Sequence, residues 1–173
     1  MTRARAINAV MYQLGWFACV LGGNAWALLA LALFVPLHQR YCVQRPAEWG
    51  FVLLAGALGL AMDLAWARAG VIGFHGTLGF GVAPWLAVLW LMFATTLQHA
   101  LAALQTRLAL AALLGAVAGP VSYLAGIALG AASTPLAAWE LAALLAPAWL
   151  LLTPLLAWLA RRASAPALQG ATT

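Results

Sequence analysis

The sequence has few charged residues and no lysine. Of its 173 residues, 6% are charged and 66% are apolar, whereas an ordinary soluble domain carries about 25% charged residues. The polar surface that a water-soluble fold requires is therefore missing. This deficit excludes a soluble globular domain and predicts an all-α bundle of helices that is solvated by lipid.

Motifs of catalysis and metal binding are also missing. The sequence has no H-E-x-x-H, no Cys-rich or multi-His ligand pattern and no Gly-rich phosphate loop. Its basic residues form no cluster longer than Arg161-Arg162, which argues against a nucleic-acid partner. Cys19 and Cys42 do not imply a disulfide framework. We expect no metal and no cofactor, and an enzyme is the less favoured class.

Long apolar segments are what the sequence does contain. Residues 48–67, 82–104, 108–130 and 138–160 are each long enough to cross a bilayer, because a spanning helix needs about 20 residues. The first segment, residues 6–41, is too long for one span. It accommodates two short spans, 6–22 and 25–41, if Gly22-Gly23-Asn24 forms a tight turn.

The Arg distribution favours six spans over five. With six spans and both termini inside, seven Arg lie in the cytoplasm and only Arg68 lies outside, in agreement with the excess of basic residues in cytoplasmic loops. A single first span would place Arg40, Arg45 and Arg107 on the opposite side of the membrane from Arg3 and Arg5, and most of this charge asymmetry would disappear. We therefore predict one six-helix transmembrane domain over residues 1–173, in a bacterial inner membrane.

Tryptophan gives an independent indication, because its ring prefers the membrane–water interface. Six of the nine Trp lie at predicted span ends: Trp26, Trp66, Trp85 and Trp139 outside, and Trp49 and Trp158 inside. The alternative is that Trp is simply common in this chain.

The longest outer loop repeats Gly at 70, 73, 76 and 79 with aromatic residues between them, and we expect it to lie on the interface or in a protein-lined cavity.

Asp63 is the most unusual residue, because an acid within a span costs roughly 2.5–3.5 kcal/mol and marks a functional candidate. Gly56 and Gly59 share its helical face and point it into the bundle. The expected partners are Arg68, at the outer end of the same helix, and the Ser122 hydroxyl. The alternative interpretation is a hydrated Asp63 that is paired with Arg68 near the surface.

The polar residues of the predicted spans fall into two layers at different depths in the membrane. Thr95, Thr96 and His99 lie at i, i+1 and i+4, so that both hydroxyls are expected to flank the imidazole and to form a polar pocket with it. The alternative is that His99 is a hydrogen-bonded packing residue near a helix end. The outer layer contains Asn24, Asp63, Trp66, Arg68, His75, Ser122, Tyr123 and Glu140, and the inner layer contains Tyr12, Gln13, His38, Glu48, Thr95, Thr96, Gln98 and His99.

The fifth predicted span carries two G-x-x-x-G patterns. Gly115, Gly119, Gly126 and Gly130 share one face, and small residues at this spacing are typical of close helix packing. Pro120 is expected to kink this helix, and Pro147 and Pro154 to bend the sixth. Bent helices also line substrate sites in transporters.

The chain resembles an uncharacterised family of small bacterial inner-membrane proteins, a domain-of-unknown-function family. The resemblance rests on Y-Q-L-G-W-F-A-C-V-L-G-G at 12–23, Asp63 with Trp66, A-T-T-L-Q-H-A-L at 94–101, and G-P-V-S-Y-L-A-G with L-G-A at 119–131. It implies a polytopic membrane protein without an assigned activity. Members are often encoded beside enzymes resembling cyclopropane-fatty-acid synthase, which implies a role in membrane-lipid modification or envelope stress.

Three functions are compatible with these observations. The first is an accessory or partner component in lipid modification, bound to the bilayer and to another membrane or lipid-modifying protein. The second is a small permease or lipid transporter that uses Asp63. The third is a membrane-embedded lipid-modifying enzyme with His99 as acid or base.

Overall fold

The computed structural model describes residues 3–78 and 81–164, so that Gly79 of the outer loop lies outside the described residues. Most of these residues form five α-helices: α1 Arg3–Tyr41, α2 Glu48–Arg68, α3 Pro84–Gln98, α4 Leu108–Ala128 and α5 Ala138–Ser164. A 3₁₀ helix, Ala102–Thr106, connects α3 to α4. Two short strands, β1 Gly73–Phe74 and β2 Ala132–Ser133, pair antiparallel.

The outer surface of this all-α bundle is apolar. Large side chains such as Leu14, Leu113 and Leu151 are 66%, 63% and 70% exposed. Four of the helices, α1, α2, α4 and α5, are long and apolar enough to cross a membrane, whereas α3 is apolar but has only 15 residues. A surface of this kind is stable in lipid and not in water.

Helix α1 reverses its direction at Gly23. This residue has φ 61° and ψ −150°, which is not helical and is a conformation that glycine adopts without a steric penalty. The Cys42 thiol lies 3.6 Å from the Ala4 carbonyl oxygen, although a straight helix would separate these residues by about 57 Å. The chain thus forms two antiparallel arms, residues 3–22 and 24–41, around the position where the sequence predicts a turn.

Helix α3 lies at the centre of the bundle and packs against α1, α2 and α5. Nine of its 15 residues are buried. It is shorter than the predicted segment 82–104, because the backbone leaves the α-helix at His99, with φ −123° and ψ −83°. The Asn8 side chain stabilises this ending, since its Oδ1 accepts a hydrogen bond from the Ala100 amide at 3.3 Å.

Both described chain ends lie at the same end of the bundle. Cys42 contacts Ala4, and the Arg45 guanidinium donates to the Ser164 carbonyl. We call this the Arg-rich end, because the segments that meet there carry Arg3, Arg5, Arg40, Arg45, Arg107, Arg161 and Arg162. The far end carries Arg68, the Gly23 turn and the two paired strands.

Two glycines and two tryptophans form a stack across the bundle. The Trp90 and Trp149 rings lie parallel, with centroids 5.5 Å apart. A Cβ on Gly59 would lie 2.1 Å from the Trp90 ring, and one on Gly119 would lie 2.3 Å from the Trp149 ring. The stack therefore runs from α2 through α3 and α5 to α4, with a glycine at each end.

The four glycines predicted to pack together separate into two pairs. Gly115 and Gly119 contact α5, since a Cβ on Gly115 would lie 2.1 Å from the Thr153 oxygen. A Cβ on Gly126 would meet nothing within 4 Å, and Gly130 lies beyond the end of α4 with φ 81°. The prediction is wrong for Gly126 and Gly130, because α4 ends at Ala128 and the Gly126 face borders empty space.

Candidate functional site: a cavity beside Asp63

Asp63 is buried on α2 and is held by two other helices. Its carboxylate accepts a hydrogen bond from Trp90 Nε1 on α3 at 2.5 Å, and a second from the Tyr123 hydroxyl on α4. Only 1% of the residue is exposed. Both carboxylate oxygens therefore have a hydrogen-bond donor from another helix.

The predicted partners of Asp63 are wrong. Arg68 is exposed at the far end, and Ser122 instead accepts a hydrogen bond from Trp16 Nε1 at 3.3 Å. The reason is helical geometry: Tyr123 is adjacent to Ser122 in sequence but lies about 100° further round α4, where it faces α2 and α3. Asp63 is therefore an interior residue rather than a hydrated surface acid.

A cavity of about 420 Å³ adjoins this carboxylate, within the usual size range of small-molecule sites. Its wall is almost entirely apolar and aromatic, with residues from α1, α3, α4 and α5 and with Asp63 from α2. It extends from Phe74 and Ala131 at the far end to Leu101 and Leu104 near the Arg-rich end. Such a shape suits an elongated apolar molecule.

The mouth of the cavity opens through the side of the bundle. Leu114 and Ala118 of α4 line the cavity and are also exposed on the outer surface. Opposite them stand Tyr12 and Trp16 of α1, which are half-buried. Helix α4 packs mainly along α5 and meets α1 at the Trp16–Ser122 hydrogen bond. Beside this contact, the exposed wall residues of α4 border the outer surface of the bundle.

The wall of this cavity contains three tryptophans whose positions are not explained by anchoring at the membrane interface. Trp16, Trp90 and Trp149 lie away from the predicted span ends, and all three contribute to the cavity wall. The sequence analysis missed them as site residues, although their position within spans was a usable signal.

Two buried polar groups in the wall have no hydrogen-bond partner among the described residues. They are Trp149 Nε1 and Thr153 Oγ1, and their residues are 8% and 4% exposed. Buried polar groups are normally paired, because an unpaired one costs about 1–3 kcal/mol. Both atoms are covered by neighbouring protein atoms, and Thr153 Oγ1 lies directly against Gly115 of α4.

Five residues of the predicted outer layer are not among the residues that line the cavity: Asn24, Trp66, Arg68, His75 and Glu140. Asn24 follows the Gly23 turn; its amide donates to the Gly76 carbonyl at 2.8 Å and accepts from the Trp85 backbone amide at 3.2 Å. Trp66 packs against the core, and Arg68 is exposed. Asn24 is thus a structural link between the α1 turn, the Gly-rich loop and the start of α3.

A second polar cluster lies at the Arg-rich end, and it differs from the predicted pocket. His99 Nε2 lies 3.1 Å from Glu48 Oε2, and the His38 ring packs edge-on against the His99 ring at 5.0 Å. The Thr95 and Thr96 hydroxyls do not flank His99, because they donate to the carbonyls of Met92 and Phe93. Beyond the helix end, the imidazole turns towards α2.

Asn8 completes this cluster, and Gln13 does not belong to it. Asn8 is fully buried, and its amide donates to Thr95 Oγ1 at 2.9 Å. Gln13 is exposed on the outside of α1. Sequence reasoning overlooked Asn8 because the residue lies close to the N-terminus, outside the polar layers considered.

The model of a family described as "Protein of unknown function (DUF2878)" matches residues 5–155. The chain belongs to this family. The match includes every residue that lines the cavity. No curated protein and no solved structure matches the chain.

Proposed function

We propose that this protein is a multi-pass membrane protein whose cavity takes up a lipid molecule from the bilayer, through the mouth between α1 and α4. The observation that carries the proposal is this lateral mouth, at which Leu114 and Ala118 are both cavity wall and outer surface. A ligand dissolved in lipid can enter there without crossing water.

The chemistry of the wall supports the same ligand class. The aromatic and aliphatic lining suits a hydrocarbon chain. By contrast, His99 is engaged with Glu48 and is not among the described residues that line the cavity. A binding role is therefore better supported than lipid chemistry by His99.

The proposed topology has six spans, with each arm of α1 counted as one span and both ends in the cytoplasm. Seven Arg near one end of the bundle and one Arg at the other support this orientation. In a bacterial inner membrane, the protein would act as an accessory or partner component in lipid modification. A topology reporter fused after Arg45 tests the orientation, and a periplasmic signal there would refute it.

The lipid proposal is tested by measuring what the purified protein retains. We expect mass spectrometry of the full chain in neutral maltoside detergent to detect tightly held lipid. Gly126→Phe should remove it, because this residue lines the cavity with open space above its Cα atom. Val117→Phe is the matched control, since Val117 is 65% exposed on the same helix. Equal lipid retention by both variants would refute the proposal.

A further inference from the structure

The Asp63 carboxylate lies buried beside the cavity. Among the described residues, the recorded ion pair is His99 with Glu48, and no Arg or His lies within ion-pair distance of Asp63. The two groups that contact its oxygen atoms, Trp90 Nε1 and the Tyr123 hydroxyl, are neutral donors. The carboxylate is therefore hydrogen-bonded but has no cationic partner there.

We propose that the cavity selects an amphiphile that carries an ammonium group, with the cationic group near Asp63 and the hydrocarbon chain directed towards Leu101 and Leu104. This inference rests on the proposed function and names the chemical class of the ligand. A cation that pairs with this carboxylate favours its ionised form, and in a site of low dielectric the ionised carboxylate attracts a cation and repels an anion more strongly than it would in water. A fatty-acid anion and a neutral lipid are therefore disfavoured.

The charge selection comes from the carboxylate rather than from aromatic faces. Trp90 lies against Gly59 and stacks on Trp149, and Trp149 lies against Gly119. These neighbours occupy part of the ring area that a cation would otherwise contact. The Tyr123 and Ser122 hydroxyl oxygens also belong to the cavity wall.

The expected preference can be estimated from Coulomb's law. Even at about 8 Å and an effective dielectric constant of about 20, the attraction corresponds to a preference of roughly 30-fold for a cation over a neutral molecule of the same shape. A closer approach increases this ratio. An anion with the same hydrocarbon chain should bind more weakly than the neutral molecule by a similar factor.

The test compares three amphiphiles that have the same chain. Dodecyltrimethylammonium, dodecanol and dodecanoate are titrated against the full chain in maltoside detergent, and binding is followed by the fluorescence of the cavity tryptophans. We expect the cation to bind at least about 30-fold more tightly than dodecanol. In Asp63→Asn, the preference should disappear while dodecanol binding persists. Equal binding of the three amphiphiles by the unmodified protein would overturn the proposal, even if Asp63→Asn does not fold.

Glu140→Gln serves as the control for charge, because it removes a carboxylate that is not among the cavity-lining residues. It should retain the cation preference, and loss of the preference in this variant would contradict the assignment to Asp63. A further outcome separates this inference from the lipid proposal. If dodecanol binds, Gly126→Phe blocks its binding, and the unmodified protein shows no cation preference, this inference is refuted and the lipid proposal stands.

The source of the ammonium group is decided by a second measurement. Lysophosphatidylethanolamine and lysophosphatidylglycerol with the same acyl chain are offered together, and native mass spectrometry shows which of them is retained. Preferential retention of the ethanolamine lipid assigns the site to a membrane lipid. No preference between the two lipids, with the dodecyltrimethylammonium preference intact, assigns the site to a free amphiphilic cation. The shared chemistry is supported in both cases.

Discussion

Replacement of Gly119 by alanine should destabilise the bundle, whereas the same replacement at Gly126 should not. Both residues lie in α4, seven positions apart, so that the two variants share chemistry, helix and membrane environment. A Cβ on Gly119 would lie 2.3 Å from Cγ of Trp149, and one on Gly126 would meet nothing within 4 Å. The pair therefore isolates the effect of packing against the tryptophan stack.

The magnitude follows from two opposing effects. Alanine is favoured over glycine in a helix by about 1 kcal/mol, and overpacking a tight interior costs typically about 1–3 kcal/mol. The cost at Gly119 should lie at the upper limit, because Trp149 is stacked on Trp90, which itself packs closely against Gly59, so that a shift of the Trp149 ring disturbs the whole stack. The net loss is about 2 kcal/mol, which lowers the unfolding midpoint by roughly 4–8 °C.

The two native cysteines provide the assay. Cys19 is fully buried and Cys42 is 2% exposed, and burial, together with the neighbouring Glu48 carboxylate, raises the pKa of the Cys42 thiol. Both thiols should react with a fluorogenic maleimide only after unfolding. We expect an unchanged or higher midpoint for Gly126→Ala. If Gly126→Ala lowers the midpoint as much as Gly119→Ala does, the stack does not limit packing in α4.

Two further predictions use the same thermal assay. Glu48→Gln should lower the free energy of unfolding by about 1–3 kcal/mol, because it removes the charge that faces His99 and weakens the hydrogen bonds from the Gln44 and Arg45 amides. Glu140→Gln should have a smaller effect on the free energy of unfolding. A larger effect of Glu140→Gln than of Glu48→Gln would contradict the role of the cluster. Asn24→Ala should lower the free energy of unfolding by about 1–2 kcal/mol, since it removes the acceptor at the start of α3 and the hydrogen bond to the Gly76 carbonyl. Gln13→Ala, at an exposed position, should be nearly neutral. Equal losses of stability in both variants would refute the structural role of Asn24.

Local signals in the sequence were sufficient to predict the chain reversal and most helix positions. The Gly22-Gly23-Asn24 turn follows from an apolar segment that is too long for one helix and from a glycine that can adopt φ 61°. Charge placement likewise groups seven Arg near one end of the bundle. These features depend on segment length, backbone freedom and charge, each of which can be read without knowing the neighbours of a helix.

The partners of the polar residues could not be predicted, for a physical reason. Lipid chains are as apolar as a protein core, so that a membrane helix need not show a distinct apolar face, and periodicity does not reveal which neighbour it contacts. Asp63 could therefore be identified as unusual, but Trp90 and Tyr123 could not be assigned as its donors. The end of α3 was also missed, because its cause, the Asn8 side chain, lies 92 positions away in sequence.

The two polar clusters differ in what they do for the backbone, and this difference separates structure from function. Irregular backbone at membrane depth is tolerated only where protein groups satisfy it. Near the Arg-rich end, Asn8 accepts from the Ala100 amide and Gln105 donates to the Leu97 carbonyl at 2.8 Å, so that this cluster is explained by the early end of α3. Asp63 bonds two side chains and no backbone group among the described residues. These bonds join α2 to α3 and α4, and the place of Asp63 in the cavity wall makes its cluster, rather than the one at His99, the cluster that a ligand can contact.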